Sequence, residues 1–209
     1  VTEMNADGTK KAPYTAQDLA TWIGEHRSAY LEKVSIKLLN DDTSITKEFT
    51  IDTGLAKEIE LDLNDKGTIT GNYDRGNKFK GDGLVTADYG SILKIERVTI
   101  KNAGTCSTVA LLNGVTCTID KANISGSNGS QEGVITICGS NACTITNTEV
   151  TGNVASDCGT IMFMDSCSDC TIGKGAVIKN ENNRGYCVKV KGNYNVKITV
   201  EKDATLTAN

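Results

Sequence analysis

Eight cysteines, all between Cys106 and Cys187, are the residues of this 209-residue chain whose type and spacing most invite chemistry. A thiolate can attack an electrophile, hold a soft metal or pair into a disulfide. Nucleophilic use wants a histidine close by, and the single histidine, His26, lies far upstream in an amphipathic stretch where packing or capping is its natural role. Cys167-Ser168-Asp169-Cys170 has the spacing of a redox pair. No βαβ pattern surrounds it, and a zinc site would need a second well-placed pair. The even, clustered set instead predicts structural disulfides mixed with buried thiols, hence an oxidising, extracellular setting.

The elements that carry these cysteines repeat. Thr116-Cys117-Thr118-Ile119 returns as Ala142-Cys143-Thr144-Ile145 and as Asp169-Cys170-Thr171-Ile172. Leu93-Lys94-Ile95-Glu96 fits one period upstream, and Val196-Lys197-Ile198-Thr199 one downstream. A second series starts at Leu84, Val109, Val134, Ile161 and Val188. Each period of about 24–28 residues holds three short strands separated by Gly and Asn turns, and such a unit cannot bury its apolar face alone. Stacked laps about 4.8 Å apart can, which predicts an all-β parallel β-helix of about six or seven coils. By period two, Cys117 shares the inward face of Ile119, so Cys117, Cys143 and Cys170 form one inward column. Three cysteines in a column cannot all pair with one another. Cys138 and Cys167 lie within bridging distance in sequence of Cys143 and Cys170, and the pairing of Cys106, Cys158 and Cys187 is open.

On the helix start Thr15-Ala16-Gln17-Asp18-Leu19, the strand beginning Ile36-Lys37-Leu38, the run Glu60-Leu61-Asp62-Leu63 and the coils from Leu84, the chain resembles the right-handed parallel β-helix proteins of the pectin-lyase-like superfamily. Within them it is most like repetitive bacterial surface modules. The resemblance implies the fold and leaves the function open, because that superfamily contains lyases, hydrolases, adhesins and inert spikes. Its lyases remove a proton α to a uronate carboxylate, using Ca²⁺ on acidic residues and a Lys or Arg base. The matching candidates here are Asp82 with Arg75, Lys78 and Lys80, in the longest polar insertion; the plainer reading is a solvated turn. Hydrolases of this type need paired aspartates on adjacent coils, and no such pair is found in the repeats. A row of Arg97, Lys121, Lys174 and Lys202, interrupted by Asn147, could meet an anionic glycan or form a solvated edge balanced by Glu96 and Asp120. An outward Thr118, Thr144, Thr171 column has a broken neighbour column (Thr116, Ala142, Asp169), which argues against an ice-binding array.

Composition narrows the classes further. With net charge -4, no strong field draws in nucleic acid, and no apolar run is long enough to span a bilayer. A start at Val1-Thr2-Glu3 reads as a mature form or an excised piece. Residues 1–13 read as a polar arm, 14–33 as a capping helix and 34–209 as the β-helix. The last strand, Ala204 onward, reads as uncovered, a template for a second copy or for the rest of a longer surface protein. The resulting expectation is a non-catalytic extracellular structural or adhesive β-solenoid that associates end to end. The alternatives are a Ca²⁺-dependent lyase acting on uronates and a glycan-binding module. No metal or other cofactor is expected, calcium entering only with the lyase reading.

Overall fold

The computed structural model describes residues 16–37, 43–45, 49–51, 54–63, 65, 68–73, 83–126, 132–139, 141–152, 158–164, 168–181, 185–192 and 195–208. The arm 1–13, the loop residues Arg75, Lys78, Lys80 and Asp82, and Cys167 lie outside these.

Helix α1 (Ala16–Glu25) is short. Its Leu19, Trp22 and Ile23, three or four apart, fall on one face and join the core. His26 ends it: the ring stacks on Trp22 with centroids 4.2 Å apart, and Nδ1 donates to the Trp22 carbonyl at 2.8 Å. The helix expected over 14–33 therefore stops at Glu25. Tyr30, which continues the helical spacing, sits at φ 48, and Leu31 donates to the Leu55 carbonyl at 2.9 Å. Pairing with a neighbouring strand wins over local helical propensity there. The first strand accordingly begins three residues earlier than the Val34 expected.

After α1 the chain runs through strands in sets of three. The first sets are β1 (Leu31–Ile36), β2 (Thr43–Ile45) and β3 (Phe49–Ile51), then β4 (Ala56–Asp62), β5 (Thr68–Gly71) and β6 (Gly83–Ala87). Next come β7 (Ile92–Glu96), β8 (Thr99–Asn102) and β9 (Ser107–Leu112), then β10 (Thr116–Asp120), β11 (Asn123–Gly126) and β12 (Ile135–Cys138). The chain continues with β13 (Ala142–Thr146), β14 (Glu149–Thr151) and β15 (Gly159–Met164), then β16 (Asp169–Ile172), β17 (Val177–Asn180) and β18 (Tyr186–Lys191). The last described strands are β19 (Lys197–Val200) and β20 (Thr205–Ala208). Corresponding strands of successive sets pair, giving two seven-stranded sheets and one six-stranded sheet. Every ladder is parallel, as a solenoid requires. We call the sheets first (from β1), second (from β2) and third (from β3).

Alternation builds the interior. In β10, β13 and β16 the second and fourth residues, Cys and Ile, point inward and the Thr between them points outward. Ile95, Ile119, Ile145 and Ile172 stack in register in the first sheet, Ile100, Ile124, Val150 and Ile178 in the second, and Val109, Ile135 and Ile161 in the third. All these residues are essentially inaccessible, each contributing about 1.5–3 kcal/mol by burial. One cluster runs from Leu19 to Ile178.

The corners are held by particular side chains. Between the second and third sheets the Asn102 amide bridges the turn back to Tyr73. Between the third and first, Asn141 Oδ1 accepts from the Gly114 and Val115 N–H groups at 3.0 and 2.8 Å. The third-sheet strands open on a fold-back. Gly83 donates to Thr86 Oγ1 at 3.1 Å and Gly133 to Thr136 Oγ1 at 3.0 Å. At Gly159 a Cβ would stand 2.5 Å from the Ile161 carbonyl oxygen, so this close approach needs glycine.

Candidate functional site

The inward cysteine column is present. Cys117 pairs in register with Cys143, and Cys143 with Cys170. Leu93 and Ile198 close the two ends. Cys143 is hydrogen-bonded to both neighbours. Its thiol is pushed up by the hydrogen bond with Cys117 and by burial, and Cys170 is pushed up by Cys143 and by burial. These thiols therefore resist becoming thiolates, the form that attacks or ligates.

The expected disulfides are not formed. All seven cysteines among the described residues are thiols. In-register parallel strands hold Cβ atoms about 4.8 Å apart, outside the roughly 3.5–4.5 Å that a disulfide needs. A Cys138–Cys143 bridge within the turn is not made either, because Cys138 ends β12 on the outer face of the third sheet and Cys143 faces inward in the first. Cys106 lies in the core. Cys187, with its thiol raised by burial, donates to the Ile178 carbonyl at 3.4 Å.

The acid–base candidates Asp82, Arg75, Lys78 and Lys80 fall outside the described residues. A different charged patch lies on the outer face of the first sheet. Lys33 lies 3.1 Å from both Glu58 and Glu60, and Lys94 lies 2.6 Å from Glu58. These partners raise the Lys33 value and lower that of Glu58. Asp62 pairs in register with Glu96, and ligand oxygens of Glu60, Asp62 and Glu96 lie within 4.8 Å of one another. Arg97 caps the group through an ion pair with Asp62, which raises the Arg97 value. A hard divalent cation would have to displace that guanidinium, and a firmly protonated arginine is a poor base. The carboxylates therefore do not form an open calcium site. Spacing hid this patch: Asp62 and Arg97 are 35 residues apart, against 26 for the contact between Asp120 and Thr146. The polar insertion lengthens the lap and breaks the repeat arithmetic. The alternating runs Ile59-Glu60-Leu61-Asp62 and Leu93-Lys94-Ile95-Glu96 were the signal that could have aligned them.

The row Arg97, Lys121, Lys174 and Lys202 lies at the corner between the first and second sheets. Asp65, Arg97, Lys121, Asn147 and Gly175 share a left-handed conformation there, with φ between 46 and 70. Each N–H donates to a carbonyl one lap on, as Arg97 to Asp120 at 3.1 Å and Asn147 to Lys174 at 2.9 Å. Lys174 sits one residue before the left-handed Gly175, and Lys202 lies in the matching turn one lap on, where the Asp203 carbonyl accepts from the Gly175 N–H at 3.2 Å. Acids interleave with the cations. Asp62 pairs with Arg97. The Asp120 carboxylate accepts from Thr146 Oγ1 and Asn147 Nδ2, and Glu201 accepts from the Lys174 N–H at 2.8 Å. The corner is a mixed-charge edge. Because a non-glycine residue in left-handed conformation costs about 1–2 kcal/mol, Lys121→Gly should raise stability by up to about 1 kcal/mol after its unfolded-chain entropy is counted. Lys121→Val should lower stability; urea unfolding midpoints read both.

The two ends of the solenoid differ. At one end α1 packs against β2 and β3. At the other, β18, β19 and β20 are the edge strands of their sheets. The inward residues there stay open: Val190 is 37% exposed, Val200 46% and Leu206 41%, where Phe163, Ile172 and Ile178 one lap earlier are 1%, 0% and 0%. No helix among the described residues is long and apolar enough to cross a membrane. In comparison with known proteins, the chain matches no family model, no curated protein and no solved structure.

Proposed function

We propose that this chain is a non-catalytic structural or adhesive β-solenoid, displayed outside the cell, whose C-terminal lap is an assembly surface. The observation that carries this reading is the asymmetry of the ends. Among the described residues the apolar side chains of Val190, Val200 and Leu206 are exposed beside three strand edges, a surface that fits a second copy or further laps of a longer chain. Unpaired strand edges next to exposed apolar side chains template further pairing. The α1 cap blocks a simple head-to-tail stack, so two copies meet tail to tail about a two-fold axis, which closes the assembly. The finer kinship proposed is with pectin-lyase-like β-helices; three parallel sheets, each taking one strand from each full lap, support it. An extracellular place no longer leans on disulfides. The core thiols Cys117, Cys143 and Cys170, which are buried, tolerate either redox setting.

The test is sedimentation of the 209-residue chain over a wide concentration range. Dimerisation is expected, and Val200→Lys with Leu206→Lys should abolish it without loss of β-structure. Lys189, Lys191 and Lys197 line the same edge strands, so added salt, which screens their repulsion across the axis, should tighten the dimer. Monomers at every concentration and ionic strength would overturn self-association.

A further inference from the structure

A second sulfur cluster lies apart from the core, on the outer face of the third sheet. It comprises Cys158, Met162 and Met164, with Cys138 packed against them. Four features of the fold bring these side chains together. Met162 and Met164 are two apart in β15 and so share a face. Cys138 of β12 stands opposite Met164 in register. Ile135 pairs with Ile161, which puts Gly159 at the fold-back position held one lap earlier by Gly133. That fold-back turns Cys158 over the same outer face, leaving it 1% exposed, beside Met162 at 2% and Met164 at 4%. Cys138 is only half-buried and leaves the cluster accessible from solvent.

Other laps place different chemistry on this face. The positions in register with Met162 are Thr136 before and Lys189 after, and the position after Met164 is Lys191. Two thiols and two thioethers within two laps form a donor set without oxygen or nitrogen, which excludes Ca²⁺, and the two thioethers, which are not zinc ligands, favour Cu(I) over Zn²⁺. The neighbouring lysines matter as well. Binding one Cu⁺ releases two thiol protons to solvent, so the occupied site carries one net negative charge. The Lys189 and Lys191 ammonium groups one lap away offset it and favour the thiolates. The core column cannot serve in this way, since it lies inside the wall between Leu93 and Ile198 and offers no thioether.

We infer that Cys138, Cys158, Met162 and Met164 bind one Cu(I). The two thioethers need no deprotonation and the two thiolates supply the charge. The test uses the reduced 209-residue chain under anaerobic conditions, with copper presented as its coloured Cu(I)–bicinchoninate complex. The chain should withdraw one equivalent. Met162→Leu with Met164→Leu, which conserves volume, should abolish withdrawal, as should Cys138→Ser, while Cys143→Ala leaves it intact. X-ray absorption of the bound metal should show sulfur neighbours only. Circular dichroism matching that of the unchanged chain confirms that each variant folds. The assignment is overturned if no copper is withdrawn, if the methionine pair proves dispensable, or if Cys143→Ala alone removes binding.

Discussion

Above the ordinary thiol value of 9.0, the stability of this solenoid is expected to fall steeply with pH. Cys143 has a raised value in the folded chain through its hydrogen bond with Cys117 and through burial, and Cys170 through its hydrogen bond with Cys143 and through burial. Once unfolded, each ionises near the ordinary value. In the alkaline range the unfolded chain therefore holds fewer protons than the folded one, and stability declines as pH rises. The contribution is fully present below about pH 9 and drains away above it, at up to about 1.4 kcal/mol per pH unit for each thiol. By about pH 11 the two together cost about 5 kcal/mol, a large share of the ~5–15 kcal/mol that holds a domain folded. Urea unfolding at pH 7, 9, 10 and 11 measures the slope. Cys143→Ala with Cys170→Ala lowers stability at neutral pH by leaving small cavities, yet it should flatten the alkaline limb. An unchanged alkaline slope in that double variant would show that the column does not ionise on unfolding as described.

The second large effect is expected at Asn102, which is 1% exposed. Its Oδ1 accepts from the Tyr73 N–H at 2.8 Å and the Gly104 N–H at 3.1 Å. Its Nδ2 donates to the carbonyls of Cys106 at 2.9 Å and of Tyr73 and Ser107 at 3.3 Å. One side chain therefore satisfies backbone groups on both sides of a corner. Gly104 packs so close that a Cβ there would lie 2.1 Å from the Tyr73 carbonyl oxygen, so water has little room to replace the amide. Asn102→Ala orphans at least two buried N–H groups, each costing about 1–3 kcal/mol, for a loss of about 4 kcal/mol. Asn102→Asp keeps the acceptor and loses the donors, and its deficit should grow as pH rises through the carboxylate range and a buried charge forms. By contrast, Ile145→Val, which trims one methylene from the fully buried column, should cost only about 1 kcal/mol. Chemical denaturation of the three variants gives the order. If Asn102→Ala costs no more than Ile145→Val, the amide is not the brace of that corner.

The strand positions and the inward column were legible because they depend on one number, the length of a lap. Where laps are nearly equal, from Leu93 to Ile198, aligning the Cys-Thr-Ile runs by eye reproduces the ladder. Where the insertion after Tyr73 stretches the lap, the same arithmetic missed the Glu60, Asp62, Glu96 and Arg97 group. The helix was legible from Leu19, Trp22 and Ile23, but its end was not. Tyr30 fits a helix locally and is instead recruited by the strand beyond it. Asn102 and Asn141 read as ordinary turn residues in sequence; their importance lies in contacts that cross a corner.

Periodicity alone determined which residues stand above one another, and with that the parallel sheets, the Ile and Val interior and the cysteine stack. That follows because strand stacking repeats a local spacing, and a spacing can be read along a line. Tertiary structure alone decided which residues meet sideways: that Cys138 and Cys143 face opposite sides of the wall, that Cys158 folds over Met162, and that α1 covers one end while Val200 and Leu206 stay bare at the other. Those contacts depend on how each corner turns, and a corner is set by a few left-handed residues, close-packed glycines and buried amides whose directions carry no period.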